Sequence, residues 1–295
     1  MHSANLGIAS FQTVAAQNPS YKWYVIADSA QHHSLPNAVV QKNYRIECLF
    51  KATQGTMLAR HAPHLVEMCS PAEYGQTWRW IALNGKSKPC VTVIASPMRF
   101  EEIFERLSLF KEVIMPDGAG MFLSFWDPAI LGTLVGNSND LTLHVKGPVL
   151  DEAQRAAFTS KLSRWWYWDR LGGLQLIISE ENTEPTSPSP FSLTQQQVDE
   201  LVEASVPDHV LFYMQLNQPL IIEGMPVSQR YSSVRNALRE ARLIGLGSMR
   251  DLLNYCCVAL IYRERMSEDQ EIRHLLNEVR QRKMSLFQAI QEFPE

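Results

Sequence analysis

The sequence has few cysteines and no large excess of either charge, and both shortages exclude classes of protein. Its five cysteines among 295 residues are an odd number without a framework spacing, so a disulfide-stapled secreted fold is not expected. Lys and Arg total 27 against 31 Asp and Glu, which gives a net charge of −4. A surface that neutralises many phosphates needs an excess of basic residues, so a general nucleic-acid binder is disfavoured.

Long hydrophobic runs are also missing. Nowhere do about 18 apolar residues follow one another, the length that a transmembrane helix requires. The first 20 residues contain no Lys or Arg and no sustained apolar run, unlike a signal peptide. We therefore expect a soluble, cytoplasmic protein that does not enter a membrane.

One polar segment divides the chain into two parts of different texture. Residues 179–190 carry three prolines, three serines and three glutamates and no apolar residue, which is typical of a linker. Before this segment β-like runs alternate with helical ones, and after it only helical patterns occur. We predict an α/β (mixed α+β) lobe with a central mixed sheet over residues 1–180, a linker over 181–192, and an all-α lobe over 193–295.

Hydrophobic periodicity and turn residues predict the individual elements. Predicted strands of the first lobe are 22–28, 44–50, 78–83, 91–95, 121–126, 165–168 and 174–178, with a hairpin turn at Asn84-Gly85 after the third. Predicted helices of this lobe are 100–110, 129–135 and 151–164. Predicted helices of the second lobe begin with a capping box at 194–197 and include 208–216, 227–244, 252–262 and 268–293.

No pattern indicates an enzyme. The motifs G-x-S-x-G, H-E-x-x-H, G-x-G-x-x-G and C-x-x-C do not occur, and the pairs His32-His33 and His61/His64 lack a Cys or carboxylate at ligand spacing. Asp127 precedes a proline at a helix start, where Asp is usually a cap. We expect no catalytic residue, cofactor or metal. The alternative is a hydrolase in which Asp127 acts with nearby histidines.

Two clusters favour a binding surface. The strand at 165–168 reads Trp-Trp-Tyr-Trp, which suits either a covered sheet or, near a domain boundary, an interface. Arg235, Arg239 and Arg242 recur at i, i+4 and i+7 on one predicted helix, as in a row that holds an acidic or carbonyl-rich partner. We hypothesise that Trp165, Trp166 and Trp168, with these arginines, contact a partner protein. A weaker alternative is stacking on single-stranded nucleic acid.

Residues 115–134 (MPDGAGMFLSFWDPAILGTL) resemble the hallmark of a bacterial family. That family is the type VI secretion effector chaperones or adaptors, built on the domain of unknown function numbered 4123. The segments WYVIAD at 23–28, GTMLARHAPHLV at 55–66, VTVIA at 91–95 and GPV at 147–149 resemble other parts of the domain in order. The resemblance covers roughly residues 20–150. Ser124 departs from the family, which often has Arg at that position.

The resemblance implies a cytoplasmic adaptor rather than an enzyme. Such proteins bind a toxic effector, often encoded by an adjacent gene, and help to load it onto the VgrG spike or its PAAR tip. The resemblance therefore implies protein partners, and neither nucleic acid nor a membrane. Asp28, Asp127 and Pro128 match the family pattern, and we interpret them as structural residues.

Overall fold

The computed structural model describes residues 2–32, 45–52, 55–73, 75–179 and 191–294. In the first helix, side chains are described from residue 7 onward. The chain divides into two compact units, Met1–Leu201 and Val202–Glu295. His33 and residues 180–190 lie outside the described ranges, so the linker predicted there stays a prediction. Phe191, near the end of the predicted linker, is described and is buried in the first unit, and its carbonyl oxygen accepts a hydrogen bond from the N–H of Ile114.

A six-stranded antiparallel sheet organises the first unit. Its strands are β1 (Lys22–Asp28), β2 (Ile46–Cys48), β3 (Pro63–Met68), β4 (Val91–Ser96), β7 (Arg164–Trp168) and β8 (Leu174–Ile178), with β5 (Glu112–Ile114) and β6 (Gly120–Phe122) forming a separate hairpin. The spatial order is β2-β3-β1-β4-β7-β8, and every neighbouring pair of strands is antiparallel. The predicted fold class, an α/β lobe followed by an all-α lobe, is confirmed. The predicted mixed sheet is instead antiparallel.

Helices cover both faces of this sheet. The helices of the first unit are α1 (His2–Gln17), α2 (Met57–His61), α3 (Gly75–Ser87), α4 (Phe100–Phe110), α5 (Pro128–Val135) and α6 (Glu152–Thr159). Because side chains alternate along a strand, Tyr24 and Ile26 pack with α4, α5 and α6. Their neighbours Trp23 and Val25 pack on the opposite face with α1 and α3. The unit therefore has two apolar cores, one on each side of the sheet.

The predicted strand at 78–83 is wrong, because this segment is part of helix α3. Its buried residues Trp78, Ile81, Ala82 and Gly85 follow a helical spacing of i, i+3, i+4 and i+7. Asn84-Gly85, a typical turn dipeptide, lies within the helix. The predicted strand at 121–126 is also too long, since strand β6 ends at Phe122.

The second unit is helical throughout its described part. Its elements are the helix α7 (Gln195–Asn217), which begins in the first unit, and α8 (Pro219–Glu223), α9 (Val227–Leu243), α10 (Met249–Tyr262), α11 (Arg265–Glu268), α12 (Gln270–Arg280) and α13 (Leu286–Gln291). The predicted capping box is confirmed, since Thr194 and Gln197 exchange hydrogen bonds of 2.9 and 3.3 Å. The helix then continues through Pro207, where we predicted two helices. None of the described helices is both long and apolar enough to cross a membrane.

Candidate functional site

The three tryptophans predicted to contact a partner lie in the interior of the first unit. Trp165, Trp166 and Trp168 are 1%, 1% and 5% exposed. Their strand β7 lies between β4 and β8, so it is not the edge strand that the hypothesis required. Helices pack on both faces of the sheet at this strand. The prediction that these three tryptophans form a contact surface is therefore wrong, and they belong to the core.

Aromatic contacts account for the burial of these side chains. The ring of Trp166 stacks on Trp23 with centroids 5.6 Å apart and meets the edge of Phe11 at 5.2 Å. On the other face Trp165 packs against Phe158 at 5.4 Å, and its indole N–H donates to Thr92 Oγ1 at 3.0 Å. Because successive side chains of β7 point to opposite faces of the sheet, this one strand contributes large aromatic side chains to both cores.

The predicted arginine row does not form one open surface. Arg242 donates to both carboxylate oxygens of Glu203 at 2.6 and 3.2 Å and to the carbonyl of Leu246 at 3.1 Å. It therefore connects helix α9 to α7 and to the segment that follows α9, all within the second unit. Arg235 is half-buried, and Arg239 is exposed. A role in partner binding stays a prediction for Arg235 and Arg239, whereas the guanidinium of Arg242 is already engaged within the second unit.

Asp127 and Pro128 begin helix α5. Asp127 Oδ1 accepts the backbone N–H groups of Ala129 at 2.8 Å and Ile130 at 3.4 Å, and Pro128 occupies the first helical position, where no intrahelical donor is needed. These contacts are those of a helix cap, in agreement with the structural interpretation of both residues.

Asp28 is a buried carboxylate at the end of strand β1. Its Oδ1 accepts the N–H of Ala30 at 2.9 Å, which fixes the turn after the strand. Burial raises the pKa of Asp28 above its ordinary range, and the nearby carboxylate of Asp127 raises this pKa further. The ionised form of Asp28 is therefore disfavoured in the folded protein.

Asp28→Asn is expected to raise the melting temperature at pH 7.5 and to have less effect at pH 4.5. With a raised pKa in the folded state, the unfolded chain loses the proton at a lower pH than the folded protein. The resulting penalty is absent below about 3.8, the ordinary value for Asp, and is complete above the raised pKa. Asn keeps an acceptor for Ala30 and carries no charge. We expect a rise in melting temperature at pH 7.5, and each kcal/mol of relieved penalty corresponds to about 2–4 °C at this size.

Asp117→Asn is the matched control for this measurement. Asp117 accepts the N–H of Ala119 at 2.9 Å in the same local geometry, but in an exposed turn. Thermal unfolding of this variant should differ from that of the parent by the same small amount at both pH values. An Asp28→Asn effect that does not change between pH 4.5 and 7.5 would contradict the assignment of a charge penalty to Asp28.

A cavity of about 1110 Å³ opens on the first unit beside strand β2. Arg45 lies at its wall, pairs with Glu47 and Glu101, and places its guanidinium 4.4 Å from the centre of the Phe100 ring. The wall thus combines paired charged side chains with an aromatic ring, a mixture typical of sites that hold a polar ligand or a peptide. Sequence reasoning missed this site, because Arg45 and Glu101 are 56 residues apart.

His61 and His64, the pair considered in the sequence as partners of Asp127, line the same cavity. His64 Nδ1 lies 3.1 Å from Ser29 Oγ and 3.0 Å from the carbonyl oxygen of Ala62. Since one ring nitrogen is shared between a hydroxyl and a backbone carbonyl, this contact holds the ring in place and is a poor arrangement for activating the serine. Burial lowers the pKa of His64, which favours the neutral ring.

The strand register gives the side chains of His64 and Asp28 opposite directions. His64 lies opposite Ala27 in the strand register, so its side chain shares the face of Val66. Asp28 shares the other face, with Tyr24 and Ile26, and its electrostatic neighbour is Asp127. The hydrolase alternative required Asp127 and a histidine to converge, and this register gives that pairing no support. Within the described ranges, no group of three or more His, Cys, Asp or Glu could hold a metal ion.

Comparison with known families identifies a domain over much of the first unit. Residues 23–144 match the family described as domain of unknown function (DUF4123). The match begins at strand β1 and contains the cavity wall, both family-motif aspartates and helix α5, and it confirms the resemblance to this domain. No curated protein and no solved structure matches the chain.

Proposed function

We propose that the protein is a cytoplasmic adaptor that binds a type VI secretion effector and helps to load it onto the VgrG spike or its PAAR tip. The observation that carries this proposal is the DUF4123 match over residues 23–144. The resemblance noted in the sequence links this domain to effector adaptors. In such a role the protein binds and releases another protein and performs no reaction on it.

The arrangement of the first unit supports a binding role. The cavity beside β2 is large enough to receive several side chains of a partner segment. Its wall carries the paired charges of Arg45, Glu47 and Glu101, which can contact polar groups of a partner segment. Binding of this kind draws its free energy from burial and from backbone pairing, and it needs no nucleotide hydrolysis.

Co-purification with neighbouring gene products tests the proposal. The full-length protein carrying an affinity tag is co-expressed with the product of the adjacent gene, and separately with the VgrG or PAAR protein of the same locus. We expect stable capture of the effector candidate or of the spike protein. In cells, deletion of the adaptor gene should abolish export of that effector and leave other cargo of the same secretion system unaffected.

An effector from an unrelated locus with the same tag and expression level is the control for nonspecific capture. If neither the adjacent product nor a spike protein is captured above this control, the proposed function is wrong. Unchanged export of the adjacent effector in the deletion strain would have the same meaning.

A further inference from the structure

Helix α7 has a second apolar face that the fold leaves uncovered. Its inner residues Val206, Val210 and Met214 recur every four positions and are buried in the core of the second unit. A different set of residues faces outward at i, i+3, i+4 and i+7, and we call it the outer face: His209, Phe212, Tyr213 and Leu216. A helix needs one apolar stripe to pack on its own domain, so folding of this unit does not account for the outer face.

The outer face is continuous and strongly exposed. Phe212 is 62% exposed and Leu216 66% exposed, one helical turn further on. The rings of Phe212 and Tyr213 are in edge contact at 5.6 Å, and Leu220 follows as an exposed residue of helix α8. Single exposed leucines are common on protein surfaces, whereas adjoining large apolar side chains mark sites of protein contact.

The charges around the outer face indicate what covers it. Residues 195–229 contain neither Lys nor Arg, and of their five carboxylates one, Glu203, is already paired with Arg242. Asp208 lies one turn before Phe212 on the same side of α7, and Glu223 lies one turn after Leu220 on α8. Pairing of two copies through this face would bring carboxylates against carboxylates, whereas a partner with basic flanks would complement them.

We propose that the outer face binds an amphipathic helical segment of a partner protein, with large apolar residues on its contact side and Lys or Arg on its flanks. Apolar side chains four residues apart form the ridge that a second helix packs against. The burial of Phe212 and Leu216 supplies the attraction, and the carboxylates select the basic partner. The assignment of this segment to an effector or spike protein rests on the proposed function. The location of the surface and the chemistry of its partner are argued independently of that function.

Two synthetic peptides test the chemistry of the partner. One is an amphipathic helix of about 18 residues made of Leu and Lys, and the other has the same pattern with Glu in place of Lys. Each peptide is labelled, and its binding to the full-length protein is measured by fluorescence anisotropy. We expect the Lys peptide to bind at least tenfold more tightly than the Glu peptide. Equal affinities would overturn the proposed role of charge.

Paired variants locate the binding surface. The double substitution Phe212→Ser/Leu216→Ser should weaken binding of the Lys peptide at least tenfold. Leu243→Ser is the matched control, because Leu243 is 77% exposed at the end of helix α9 in the same unit, outside the outer face. This control should change the affinity less than twofold. Unchanged binding in the double variant would overturn the proposal, and Leu216→Lys repeats the test if the double variant loses its helical circular dichroism.

Two further outcomes separate this inference from the proposed function. If the double variant still captures the adjacent gene product and binds the Lys peptide like the parent, the surface is wrong and the adaptor function stands. If the parent captures no effector or spike protein but discriminates the peptides through Phe212 and Leu216, the surface stands and the adaptor function is wrong. Concentration-dependent dimers in light scattering that disappear in the double variant would show that a second copy occupies the outer face, which also overturns the proposal.

Discussion

Replacing Trp166 with alanine is expected to lower the free energy of unfolding of the first unit by about 3–5 kcal/mol. The side chain is 1% exposed, stacks on Trp23, and contacts Phe11 between the sheet and helix α1. Removing the indole leaves a cavity that these neighbours cannot close without moving. Denaturant unfolding followed by tryptophan fluorescence measures the effect in the first unit, because all seven tryptophans precede residue 202.

Two companion variants make this result interpretable. Trp166→Phe should lose less than about 2 kcal/mol, since it keeps an aromatic ring, and the buried indole N–H has no hydrogen-bond partner among the described residues. Trp80→Ala, at a half-buried position on the same side of the sheet, should lose about 1 kcal/mol or less. A Trp166→Ala variant with near-normal stability and weakened effector capture would restore the surface role that the structure argues against.

Local patterns predicted several elements with their observed bounds. Strand β1, helix α4 and strand β8 begin and end at the residues predicted from the sequence. In each case the information lies within about ten neighbouring residues: a β-branched and aromatic run, or apolar positions recurring along one helical face. Asp127 was similarly predictable, because Asp before Pro at a helix start caps its own neighbours.

Long-range pairing explains where prediction failed. The run at 165–168 suits an edge strand and a central strand equally well, and its place was decided by strand β8 pairing on its outer side. The segment 78–83 of helix α3 has the local pattern of a strand, because its apolar run ends at Asn84-Gly85, a strong turn signal. The segment is helical because a helical spacing places Trp78 and Ile81 on one side, where both are buried in the core against the sheet.

The candidate site was less predictable than the fold. The cavity wall joins Arg45 to Glu101, which are separated along the described chain by three strands, β2, β3 and β4, and two helices, α2 and α3. Strand register alone places His64 on one face of the sheet and Asp28 on the other, and a shift of one residue would have reversed this. Chemistry that depends on such juxtapositions cannot be deduced from spacing along the sequence.

Helix α3 approaches strand β7 closely at Gly85. Gly85 faces Trp168, and a Cβ atom at this position would lie 2.6 Å from Cζ3 of the indole ring. Trp168 is buried and held by the same core, so its ring has little room to move. In an exposed helix, alanine would be favoured over glycine by about 0.5–1 kcal/mol. At Gly85 overpacking dominates, and we expect Gly85→Ala to lower the free energy of unfolding by about 1–3 kcal/mol.

Gly75→Ala in the same helix is the matched control. Nothing lies within 4 Å of a Cβ built at Gly75, so this substitution should change stability by no more than about 0.5 kcal/mol. Denaturant unfolding followed by tryptophan fluorescence applies to both variants, since neither removes an indole. A loss at Gly85 with none at Gly75 would show that the glycine is required by packing against Trp168. A gain at both positions would mean that helix propensity governs α3 and that the helix stands further from the sheet.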